Sequence, residues 1–156
     1  MADREELSKI AYEMQVYREE VQLIQQQMGN LQLNYVSTES AVRTLENIGK
    51  LNKQEDVLLP IGAGAYIKAK IQDNEVALID VGVGVIVEKP IPDAVQLLKS
   101  KMKEMDSLRE KLQKNLEDIS KKMKGLEESA NKLVEKLKGA GVQPTKQDKE
   151  VHTEYG

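Results

Sequence analysis

A chain of 156 residues with a net charge of -3 contains no Cys, Trp or Phe, and aromatic residues make up 3% of a sequence that is 40% hydrophobic and 31% charged. That composition excludes a disulfide framework, a thiolate nucleophile and a cysteine-based metal site, and it favours long helices with an apolar stripe over the rounded core of a compact enzyme. The opening MADREELSKI is charged where a signal peptide needs an apolar run, and no segment approaches the roughly 20 apolar residues of a membrane span, so a soluble, cytoplasmic protein is expected.

The first element predicted is a helix over residues 1–50. Leu7, Ile10, Met14, Tyr17, Val21, Ile24, Met28, Leu31, Tyr35, Thr38, Val42 and Leu45 follow one another alternately three and four apart, and only Thr38 is polar. A seam with that period keeps facing its partner as two helices supercoil, which marks a coiled coil.

Residues 51–91 break the pattern. The stretches from Val57 to Gly64, Ala65 to Ile71, Val76 to Val81 and Val85 to Ile91 are dense in Val and Ile and read as strands. Asp73-Asn74 predicts a turn and Gly82-Val83-Gly84 a second break, so the insert reads as two β-hairpins. Two hairpins cannot bury their own apolar faces and therefore require partners.

A second coiled-coil helix is predicted over 92–139. Its seam runs Val95, Leu98, Met102, Met105, Arg109, Leu112, Leu116, Ile119, Met123, Leu126, Ala130, Leu133, Leu137, with Arg109 the one exception. Pro92 and Asp93 suit its first turn, and Gly139 and Gly141 its end. Residues 140–156 have no periodicity and are expected to form a flexible tail.

Helices of matching length joined by a β insert predict an antiparallel pair. Among the registers that heptad spacing allows, one sets Thr38 opposite Arg109 and so places both seam exceptions in one layer. It also sets Tyr17 against Ala130, Glu13 beside Lys136, Arg18 beside Glu127 and Glu46 beside Lys99. Residues 1–50 carry 5 basic against 8 acidic residues and 92–139 carry 12 against 9, so the helices are complementary in charge. A polar layer at Thr38 and Arg109 would fix alignment; the alternative is that Arg109 snorkels outward while Leu108 packs in its stead.

Little here suggests chemistry. Gly62-Ala63-Gly64 and Gly82-Val83-Gly84 lack the third glycine of a dinucleotide loop and precede strands, so they read as tight turns. His152, the only histidine, lies in the tail without partners for a metal site or triad. Carboxylates on the helices read as solvated faces. Lys121, Lys122 and Lys124 are interspersed with acidic residues and lack an aromatic platform, which argues against nucleic-acid binding. The expectation is no enzyme, no cofactor and no metal. Leu7, Ile10, Ala11, Met14, Leu133, Val134 and Leu137 gather at the helix ends away from the insert, where they form either a frayed coiled-coil end or an adaptable apolar surface.

Leu59-Pro60-Ile61-Gly62-Ala63-Gly64-Ala65-Tyr66-Ile67 and Ile79-Asp80-Val81-Gly82-Val83-Gly84-Val85-Ile86-Val87-Glu88-Lys89, set between two such helices, resemble the α class of prefoldin, a co-chaperone family of archaea and eukaryotes. The resemblance implies an α+β subunit whose two hairpins enter an oligomeric β-barrel platform. It also implies a hexamer of two α-class with four β-class subunits, whose coiled-coil tips hold non-native proteins without ATP and pass them to a group II chaperonin. On this resemblance, exposed tips at Leu7, Ile10, Ala11, Met14, Leu133, Val134 and Leu137 hold clients. Ile61, Ile67, Ile71, Ile79, Val81, Val85 and Val87 serve assembly, with no nucleic acid and no membrane involved. The competing reading is a structural spacer or filament subunit without client transfer.

Overall fold

The computed structural model describes residues 2–141. The expectations for the tail, including His152, concern residues outside that range, apart from Ala140 and Gly141 at its start. Helix α1 runs Ala2–Gly49, followed by strands β1 (Asp56–Gly62), β2 (Ala65–Lys70), β3 (Val76–Asp80) and β4 (Ile86–Pro90), then helix α2 (Ile91–Gly139). The described residues divide into two compact units, one holding those up to 30 and from 108, the other residues 31–107.

In the first unit the start of α1 packs antiparallel to the end of α2. Asp3 in the first turn of α1 pairs with Lys136 in the last turn of α2 at 3.3 Å, so opposite helix-dipole ends meet with complementary side chains. Further along, Lys122 Nζ stands 6.0 Å from the Tyr17 ring centroid. Buried residues Leu7, Ile10, Met14 and Ile24 on α1, and Leu112, Ile119, Met123, Ala130 and Leu137 on α2, all occupy seam sites. Val134 is also buried, whereas the seam residue Leu133 is half-buried. Between the buried seam residues Ala130 and Leu137, a step of four then three brings Val134 into the buried line where three then four would bring Leu133.

These contacts correct the expected register. Tyr17 lies under Lys122 rather than against Ala130, Lys136 pairs with Asp3 rather than Glu13, and Met28 shares a groove with Arg109 and Gln113. Asp3 and Glu13 are separated by about 15 Å of helix, so the offset from the expected alignment is at least about one heptad. Shifting one helix by a heptad leaves every seam residue on the seam. The expected register had rested on placing Thr38 opposite Arg109, with flanking ion pairs in support; the Thr38 hydroxyl is satisfied by its own helix, and exposed pairs worth at most about 1 kcal/mol each are too weak to select a register.

The second unit holds both hairpins with the end of α1 and the start of α2. Here Lys99 pairs with Glu46 at 3.3 Å, as expected. Each hairpin is a separate antiparallel two-stranded sheet. In the first, Leu59 faces Ile67 and Val57 faces Ala69, with a bulge between Pro60 and Gly62 where proline supplies no N–H to the ladder. In the second, Ile79 faces Val87 and Ala77 faces Lys89. Both turns are the glycine motifs read from sequence: Gly62, Ala63 and Gly64 have φ of 108°, 52° and 75°, and Gly82, Val83 and Gly84 have 124°, 50° and 76°. Three successive positive φ values explain the flanking glycines, and Asp80 Oδ1 accepts the Gly82 N–H at 2.8 Å to hold the second turn.

Asp73-Asn74 links the hairpins. Asp73 Oδ1 accepts the Glu75 N–H at 2.8 Å, Asn74 Nδ2 donates to the Leu51 carbonyl, and the Ile91 N–H donates to the Glu75 carbonyl at 2.9 Å. The second hairpin thus enters α2 through a hydrogen-bonded corner. Its inner face, Ala77 and Ile79, is buried with Val42, Ile91, Ala94 and Val95, and Leu45, Ile48, Leu98 and Met102 pack around that cluster.

Candidate functional site

Two groups of apolar residues remain once the fold is accounted for. At the helix ends of the first unit, Leu7 is 1% exposed and Met14 0%, with Ile10, Val134 and Leu137 also buried and Ala11 and Leu133 half-buried. The contacts at Asp3–Lys136 and Tyr17–Lys122 bracket this group, so residues of α1 between 3 and 17 lie against α2 between 136 and 122. The expectation of exposed tips is therefore corrected: in this structure the two helix ends cover one another. Two antiparallel ends suffice because each supplies a side chain to the seam at every turn. Ala130, 2% exposed, completes the closed layer; it stood on the expected seam but was not counted among the tip residues.

The first hairpin is the opposite case. Leu58, Leu59, Ile61, Tyr66 and Ile67 are all at least 46% exposed, and among the described residues of the two strands only Val57 and Ala69 are half-buried. Of the residues assigned to assembly, Ile61, Ile67, Val81 and Val85 are exposed, and Ile71 and Val87 half-buried. Ile79 is a correction. At 8% exposure it belongs to the chain's own core beneath the second hairpin, leaving it no free surface to offer a partner. Leu58, Leu59, Tyr66, Leu78 and Ile86 were missed. A continuous apolar run such as Leu58-Leu59-Pro60-Ile61 gives no alternation from which to assign a face, but it does signal a strand needing cover on both sides.

Thr38 and Arg109 find their surroundings locally. The Thr38 hydroxyl donates to the Asn34 carbonyl of its own helix at 2.8 Å, which satisfies it without a cross-helix partner. Arg109 is exposed beside Met28, and Leu108, 47% exposed, does not take its place on the seam. Among the described residues, no helix is long and apolar enough to cross a membrane, and no three His, Cys, Asp or Glu residues gather as a metal-binding set.

Two long helices with paired β-hairpins between them define a class of protein, and comparison with known proteins identifies it. The family model for the prefoldin subunit matches residues 17–136, and the chain belongs to the prefoldin family of chaperones. It is 33% identical over 135 residues to prefoldin subunit alpha of Pyrococcus horikoshii, covering 86% of this chain and 91% of the relative. It is 36% identical over 106 residues to prefoldin subunit alpha of Thermococcus onnurineus, covering 67% and 72%. The α-class resemblance read from the hairpin motifs agrees with both. The fold matches that of a filamentous PFD from Methanocaldococcus jannaschii with a TM-score of 0.64 and 18% identity, over 72% of this chain and 93% of that one.

Proposed function

We propose that this chain is the α-class subunit of an ATP-independent cytoplasmic holdase, two copies joining four β-class subunits. On this reading the hexamer captures non-native proteins and passes them to a group II chaperonin. The observation that carries the proposal is the contrast between a permanently bare hairpin and a covered apolar tip. The bare faces around Leu59, Ile61 and Ile67 suit a β platform shared with other subunits. Val81 and Val85 add to that surface, with Ile71 and Val87 at its margin. The tip residues Leu7, Ile10, Ala11, Met14, Leu133, Val134 and Leu137 suit transient client contact, because helix ends open at low free-energy cost.

Each opened tip offers only a few kcal/mol, at ~25 cal/mol per Å² of apolar surface, so single contacts are weak and tolerant of sequence. Several tips on one platform raise the effective concentration of each, which retains a client without any strong contact. Release then needs a competing binder and no hydrolysis.

The test is nucleotide-free suppression of light scattering when a denatured protein is diluted into buffer containing this chain mixed with a β-class subunit. Near-stoichiometric suppression is expected, and the double variant Ile10→Ser with Leu137→Ser should lose most of it while still assembling. Loss of the hexamer in that variant contradicts the separation of tip from platform. A second reading, a filament or spacer subunit, is favoured by the filamentous description of the structural neighbour. A spacer would assemble and leave scattering unchanged for several clients.

A further inference from the structure

Each helix of the first unit contains one interior glycine, Gly29 in α1 and Gly125 in α2. Neither has a positive φ, and a Cβ added at either would meet nothing within 4 Å, so neither backbone geometry nor close packing requires glycine there. What glycine changes at such a site is the open state: an unwound glycine gains more conformational freedom than any other residue, and the helix is correspondingly easier to open there.

The two glycines differ in what lies between them and the nearer helix end. Unwinding α1 back to Gly29 would release Leu7, Ile10, Met14 and Ile24 together. Unwinding α2 back to Gly125 releases only Ala130, Val134 and Leu137 among the buried residues. Gly125 also stands three residues beyond Lys122, the inner bracket of the covered tip, while Lys136 marks the outer bracket. The piece of α2 from Gly125 outward is therefore the piece that covers Leu7, Ile10 and Met14. Its 126–139 segment is of a length that is marginal as an isolated helix in water, so once detached it does not persist as a competing helix.

We infer that Gly125 is the inner limit of tip opening: α2 unwinds from its C-terminal end back to Gly125, uncovering the apolar residues of α1 and of its own last turns in one step. The inference deepens the client-holding reading and rests on it for its purpose, but its physical content can be measured without a client.

The experiment is native-state hydrogen exchange, read by peptide, on the full-length chain as wild type, Gly125→Ala and Gly29→Ala. Glycine-to-alanine replacement inside a helix changes the opening equilibrium roughly fivefold. Gly125→Ala should slow exchange across 126–139 by about that factor and leave the 105–120 stretch unchanged, while Gly29→Ala should leave 126–139 unchanged. With a client present, Gly125→Ala should reduce the rate of capture by the same factor, since capture draws on the open fraction. Unchanged exchange across 126–139 in Gly125→Ala, or equal slowing there in Gly29→Ala, overturns the inference. If exchange slows as expected and the wild-type chain holds no client in its assembly, the holdase reading fails and the hinge stands.

Discussion

The first hairpin and the helix tip hold similar kinds of residue in opposite states. Ile61 is 63% exposed and Leu58 64%, whereas Leu7 and Met14 are almost fully covered by their own chain. The tip can close because two antiparallel helix ends complete each other's seam. The first hairpin, a lone two-stranded sheet, leaves these side chains without a second layer among the described residues. The difference teaches that apolar content alone does not separate assembly from recognition. On the proposed function, surface that the chain leaves bare is the surface another subunit would cover, and surface that it covers itself is the surface that opening would release.

The largest effect that would sharpen this contrast is at the hairpin. Ile67→Asp should abolish assembly with β-class subunits, because a carboxylate forced into an apolar contact costs several kcal/mol at a central interface position. The variant's helix content should be unchanged, since Ile67 is 48% exposed in the free chain. Native mass spectrometry showing a wild-type hexamer would break the comparison. Next in size, Ile79→Ala removes a side chain from the core that seats the second hairpin on the helices and should cost about 2–4 kcal/mol, read as a lower urea midpoint. A change within experimental error would mean that the cluster contributes little. The smallest effect is expected at the tip's rim. Asp3→Asn removes the partner of Lys136, whose side chain is 70% exposed, so it should cost less than about 1 kcal/mol and the difference should fade at high salt.

Much of this contrast could be read from the residues. The 3-4 spacing from Leu7 to Leu45 and from Val95 to Leu137 marked two long helices, and the glycine motifs at 62–64 and 82–84 fall at both hairpin turns. Three features could not be read, each for a physical reason. Seam periodicity is invariant to a heptad shift, so it could not decide whether Tyr17 lies against Ala130 or about one heptad along, where Lys122 stands over its ring. Val134 takes the buried place expected for Leu133 between Ala130 and Leu137, because a step of four then three fits the helical period as well as three then four. Ile79 and Ile67 look alike in sequence, and only the corner through Asn74, Glu75 and Ile91 decides that the second hairpin rests on the helices while the first stays bare.

The same absence of cysteine that excluded thiol chemistry makes a decisive test simple, because an introduced pair has no competitor. Met14→Cys with Leu126→Cys joins the helices within the bracket set by Asp3–Lys136 and Tyr17–Lys122. Assembled with β-class subunits, this variant should stop suppressing aggregation when oxidised and recover on reduction, with the hexamer intact throughout. An oxidised, fully cross-linked assembly that holds denatured clients as well as its reduced form would contradict the claim that the tip works by opening.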